Sequence, residues 1–94
     1  MNSEDRDQQR RKKLMLEAVQ EQMTSPESPE VKVHYERLRA LGHSDAEARE
    51  LIATVLAFYF WHTMRQDDYT YADYVAELAR LPDIDWQDDE NADA

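Results

Sequence analysis

The chain has no cysteine, one glycine and three prolines in 94 residues. Without cysteine there can be no disulfide and no thiolate metal site, which suits a reducing compartment, and a cytoplasmic location is expected. So little glycine and proline argues against an all-β fold, which needs many turns. No long apolar run is present either. The longest, LIATVLAFYFWHTM from Leu51 to Met64, holds two threonines and a histidine and is bounded by Glu50 and Arg65. A membrane-spanning helix needs about 20 apolar residues, so no membrane partner is expected. At the N-terminus, MNSEDRDQQRRKK places acids before bases with no apolar segment behind them, unlike a secretory signal.

Chemistry-bearing motifs are also missing. There is no glycine-rich phosphate loop, no H-x-x-x-H or H-E-x-x-H, and most serines and threonines sit where helix caps and linkers need them. Short helices leave little room for a substrate pocket. The expectation is a non-catalytic protein with no cofactor and no metal. His34, His43 and His62 are too few and too scattered for a zinc site. His34 and His62 read as half-buried, hydrogen-bonded side chains on helix stripes that could approach each other, and His43 as a turn residue.

Charge is abundant but unevenly placed. Of the net -10, the segment from Asp83 to Ala94 carries -6, with six acids and no base. The rest of the chain is close to neutral. A basic face for phosphate contacts is absent, so no nucleic-acid partner is expected. The basic run Arg10 to Lys13 reads as a solvated helix face.

What remains abundant is helix-forming: Ala, Leu, Glu, Arg and Gln. Residues 1–11 are charged and poor in apolar side chains, and read as a disordered N-terminus. Met15, Leu16, Val19 and Met23 mark a modest amphipathic helix over 12–24, loosely packed. In TSPESPE, Ser28 is a candidate cap, and Pro29 and Glu30 suit a first helical turn. That helix runs to about Leu41 and ends at Gly42, where a left-handed residue is wanted. Ser44 and Glu47 have capping-box spacing ahead of a helix over Asp45 to Arg65. Thr70 with Asp73 starts another over Tyr71 to Arg80, whose stripe is Tyr71, Tyr74, Val75, Leu78 and Leu81, and Pro82 stops it. The helical core domain is thus 29–82. Residues 83–94 read as a disordered acidic tail. The fold class expected is all-α, a small three- to four-helix bundle with disordered termini.

The stretch from Pro29 to Pro82 resembles the C-terminal helical portion of a group of small bacterial domain-of-unknown-function proteins. The likeness rests on PEV, YERL, the Gly-x-Ser turn with its acidic cap, the Ile-x-x-Val-Leu-Ala helix and the Tyr-x-x-x-Leu-x-x-Leu-Pro ending. It implies a helical bacterial domain. Some of those proteins carry a His-rich segment upstream; here no histidine precedes Pro29, so that site has no counterpart.

The helix from Asp45 to Arg65 is apolar on every side, and such a helix is usually covered on every side. Leu51, Val55, Phe58 and His62 make one face, Ala48, Ile52, Leu56 and Tyr59 another, while Phe60, Trp61 and Met64 stay on a third. Two amphipathic neighbours cannot wrap it. Either the first helix or a second chain must supply the rest. The expected function is a small protein–protein interaction module, a homodimer or an accessory subunit of a bacterial complex. Its partner-binding residues would be Phe58, Trp61, Met64 and Tyr69, with Ile84 and Trp86 as anchors in the tail. The alternative is an inhibitor or decoy that holds a basic partner through the acidic tail. Tyr35, Tyr59 and Tyr74 read as core-packed.

Overall fold

The computed structural model describes residues 3–83. Four helices follow one another: α1 (Ser3–Thr24), α2 (Pro29–Ala40), α3 (Asp45–Met64) and α4 (Tyr71–Arg80), with no strand among the described residues. The all-α bundle expected from composition and capping is the fold observed.

The starts of α3 and α4 are written in their caps. The Glu47 amide donates to Ser44 Oγ at 3.1 Å, and the Ser44 amide donates to Glu47 Oε1 at 2.8 Å. At α4 the Thr70 amide donates to Asp73 Oδ2 at 2.8 Å and the Asp73 amide to Thr70 Oγ1 at 3.3 Å. Each reciprocal pair satisfies two backbone donors that the helix cannot satisfy itself. α2 departs from expectation. Ser28 makes no side-chain cap; its hydroxyl donates back to the Gln22 carbonyl at 3.0 Å, where it bridges the end of α1 to the turn.

Two helices close in the same way. After α2, the Gly42 amide donates to the Arg39 carbonyl and the His43 amide to the Leu38 carbonyl, with Gly42 at φ 105°. After α3, the Gln66 amide donates to Thr63 and the Asp67 amide to His62, with Gln66 at φ 61°. Both are Schellman closures. The second places a glutamine where glycine is preferred.

The first helix is longer and better docked than its apolar pattern suggests. It begins at Ser3, so the expected disordered segment is helical from there on; residues 1–2 lie outside the described residues. Asp5 and Asp7 precede the bases at 10–13, an order that matches the helix dipole and places Asp7 four residues before Arg11. Nor is its second half loosely packed. Val19 is fully buried, and Met15, Leu16, Ala18 and Met23 pack partly against the core. Polar ties add to this. Arg49 Nη1 donates to Gln20 Oε1 at 2.6 Å, and Lys12 pairs with Glu50 at 3.4 Å.

The core joins all four helices: Val19; Val31 and Leu38; Ala48, Ile52, Val55 and Leu56; Tyr74 and Leu78; and Leu81 just beyond α4. Each large aliphatic side chain buried there contributes about 1.5–3 kcal/mol. Arg37 of α2 fastens the end of α4. Its Nη1 donates to the Leu81 carbonyl at 2.8 Å, and its Nη2 donates to Leu78 at 3.0 Å and Ala79 at 3.4 Å. A cation on the last carbonyls meets both their unpaired lone pairs and the negative end of the dipole.

Candidate interaction surface

α3 is the element with more apolar surface than the bundle can cover. Its inner side, Ala48, Ile52, Val55 and Leu56, is buried. α1 covers a second side. The third remains open: Phe60 is 37% exposed, Trp61 48% and Met64 79%, and Ala57 is exposed beside them. Residues 57, 60, 61 and 64 follow the i, i+3, i+4, i+7 spacing of a single helix face. This is an apolar stripe on the C-terminal half of α3.

The stripe continues into a groove. Met15 and Leu16 of α1 face Ala53, Thr54 and Ala57 of α3 across a hollow of about 270 Å³, with Arg11, Lys12 and Glu50 at its rim. The cause lies in side-chain size. α3 is small at 53, 54 and 57 and large at 60, 61 and 64. One helix face therefore presents a hollow followed by a ridge.

Of the residues expected on the surface, Trp61 and Met64 are exposed, while Phe58 and Tyr69 are half-buried. Phe58 is half-buried and meets His62 at 4.3 Å and Tyr69 at 5.6 Å between ring centroids, both edge-on. His62 and Tyr69 stack at 4.7 Å, and Tyr59 stacks on Tyr74 at 5.0 Å. These rings form an inward-facing aromatic cluster that seals α3 to the loop before α4. Phe58 also lies along Trp61, one helical turn away, with ring centroids 6.4 Å apart and the planes nearly parallel, so the cluster backs the open stripe from its half-buried side. Phe60 belongs to the open stripe and was grouped with Trp61 and Met64 by spacing alone. Ile84 and Trp86 lie outside the described residues.

Electrostatics separate the two sides further. The Tyr69 hydroxyl is buried and finds no hydrogen-bond partner; burial pushes its pKa up to about 12. Tyr71 is likewise raised to about 12, by burial and by donating its hydroxyl proton to Glu30 Oε1 at 2.8 Å. Glu30 in turn is held below the usual carboxylate value, first by backbone hydrogen bonding at the start of α2 and then by Tyr71. On the open side, Arg65 lies over the Trp61 ring, 4.4 Å from its centroid, and reaches Asp67 at 3.6 Å. A guanidinium over an indole face is attractive, and Trp61 remains 48% exposed beside it.

The histidines do not converge. His34 Nδ1 accepts from Arg37 Nε at 3.2 Å, and His62 Nδ1 lies 2.9 Å from Asp67 Oδ2. Among the described residues no group of three or more His, Cys, Asp or Glu could hold a metal ion. Among the same residues no helix is long and apolar enough to cross a membrane. Comparisons of the chain with family models, curated proteins and solved structures give no match.

Proposed function

We propose that this chain is a small, non-catalytic helical interaction module, a homodimer subunit or an accessory subunit, acting in a bacterial cytoplasm. Its docking surface is the open side of α3 and the groove beside it. The observation that carries the reading is the stripe Ala57, Phe60, Trp61 and Met64, which stays open after α1 has docked. Covering one large apolar side chain contributes about 1.5–3 kcal/mol. Three such side chains on one face are a concentrated anchor, of the aromatic and methionine kind enriched at interface centres. The stripe is as long as a partner helix needs for three contacts, and the groove extends it by another turn.

The test is photo-crosslinking in the native cell with a benzophenone amino acid in place of Met64. The reading predicts one dominant crosslinked product, lost when Trp61→Glu is added. Uniform weak labelling, or labelling that Trp61→Glu leaves unchanged, contradicts it.

A further inference from the structure

We propose that the occupant of this surface is a second copy of the chain, packed antiparallel along α3 about a two-fold axis near Ala57. This rests on reading the stripe as a docking surface and names its partner. The argument begins with shape. The N-terminal half of the face is hollow, at Ala53, Thr54 and Ala57 beside Met15 and Leu16. The C-terminal half is a ridge of Phe60, Trp61 and Met64. Reversing one copy against another lays ridge on hollow at both ends at once. That is the condition for a closed isologous pair, in which residue i meets j and j meets i.

Register fits as well. Thr54 and Trp61 are seven residues apart, two helical turns, and so lie on the same lateral side of α3. A two-fold axis midway between them, beside Ala57, places Trp61 of each copy over Thr54 of the other. A hollow of about 270 Å³ has the volume for an aromatic side chain. A parallel pair would instead stack ridge on ridge and leave both hollows empty.

Charge agrees with the same direction. The hollow end carries Arg11, Lys12 and Glu50, and the ridge end carries Arg65, with Asp67 beside it. Antiparallel packing brings Arg65 to the partner copy's Glu50 and Asp67 to its Lys12. A parallel pair would place like charges together, Glu50 on Glu50 and Arg65 on Arg65. The overall charge of -10 on each copy opposes association, so the local balance on this face matters.

Two complementary variants test the pair by light-scattering mass. Thr54→Trp fills the hollow, away from the axis, and keeps the ridge. Trp61→Ala with Met64→Ala removes the ridge and keeps the hollow. Trp61 and Met64 are exposed and Thr54 is half-buried at the edge of the hollow, so each variant should keep the circular dichroism of the wild type. The proposal predicts a dimeric wild type, two monomeric variants, and a heterodimer of intermediate affinity when the variants are mixed. Direction is read separately, since the chain has no cysteine of its own. Glu50→Cys mixed with Arg65→Cys should form an intermolecular disulfide, and Glu50→Cys alone should not. A monomeric wild type at millimolar concentration overturns the proposal, as does a mixture that stays monomeric or a disulfide from Glu50→Cys alone. If the Met64 crosslink captures a foreign protein and never this chain, the second-copy inference fails and the docking reading stands. If it captures nothing, both fail.

Discussion

The Tyr74 hydroxyl donates to Gln22 Oε1 at 2.7 Å, a bond between α4 and α1 across 52 residues of sequence. It makes the first helix a structural member of the bundle. Tyr74 is fully buried, and its ring stacks on Tyr59 of α3, so three helices meet at this point. Replacing Gln22 with Leu strands a buried hydroxyl, and the cost expected is about 1–3 kcal/mol. Tyr74→Phe removes the donor itself and should cost less, because the half-buried Gln22 amide can turn to water. Urea unfolding of the two variants checks the order.

Arg37 should be among the most sensitive polar positions. It serves three carbonyls at the end of α4 and one histidine nitrogen. Arg37→Met keeps most of the packing and removes every donor. Hydrogen bonds to a charged group are worth about 1.5–3 kcal/mol each at most, and these share one side chain. The loss expected is about 2–3 kcal/mol in urea unfolding, with amide exchange faster at Leu81 and Asp83 than at the start of α4. Arg37→Lys should recover only part, since a single ammonium cannot span the carbonyls.

Gln66 offers a gain. It holds the left-handed position of the α3 closure at φ 61°, a conformation that costs a non-glycine residue about 1–2 kcal/mol. Gln66→Gly relieves that strain but frees the unfolded chain. The net result expected is a stabilisation of up to about 1 kcal/mol, seen as a higher melting temperature. Gly42 is the mirror control. A Cβ there meets nothing within 4 Å, yet φ is 105°, so Gly42→Ala should destabilise through backbone strain alone.

Acid should weaken the fold in two stages. Burial, and then the neighbouring Arg37 charge, lower the His34 pKa from its ordinary 6.5, while Glu30 opposes the shift. The unfolded chain therefore binds this proton more readily than the folded one. The stability from the neutral ring is complete above 6.5 and drains as pH falls through the lower folded value. Asp45, Glu47 and Glu30 are also lowered, from 3.8 for the aspartate and 4.5 for the glutamates. Tyr35 and Arg49 hold Asp45, and the backbone and side chain of Ser44 hold Glu47. Their contributions go at lower pH, with the same sign. Urea midpoints from pH 8 to 3 should fall in both ranges, and His34→Gln should flatten the upper one only.

Much of the fold was legible because the residues that set it are local. Capping boxes at Ser44 and Thr70, Gly42 at a helix end, and Pro29 in a first turn each act within a few positions. What escaped was of another kind. Residues 3–11 carry no apolar stripe, so their helix rests on charge order, propensity and continuity with the docked half of α1. Gln66 uses a conformation that glutamine does not advertise. Ser28 has cap chemistry, but the Gln22 carbonyl reaches it first. Arg37 reads as a surface base until tertiary structure places three carbonyls of the α4 end around it. On α3 the difficulty was intrinsic, since a helix apolar on all sides has no period to show which face stays open. Only packing shows that Phe58 is half-buried while Trp61, in ring contact with it, stays exposed.

The most direct test of the docking surface is molar mass by light scattering over a hundredfold range of concentration, for the wild type and for Trp61→Glu with Met64→Glu. The account predicts a wild-type mass near twice 11.1 kDa at high concentration, falling toward 11.1 kDa on dilution. The double variant should stay at 11.1 kDa throughout with an unchanged urea midpoint. Wild type and variant with the same mass at every concentration would contradict self-association through α3.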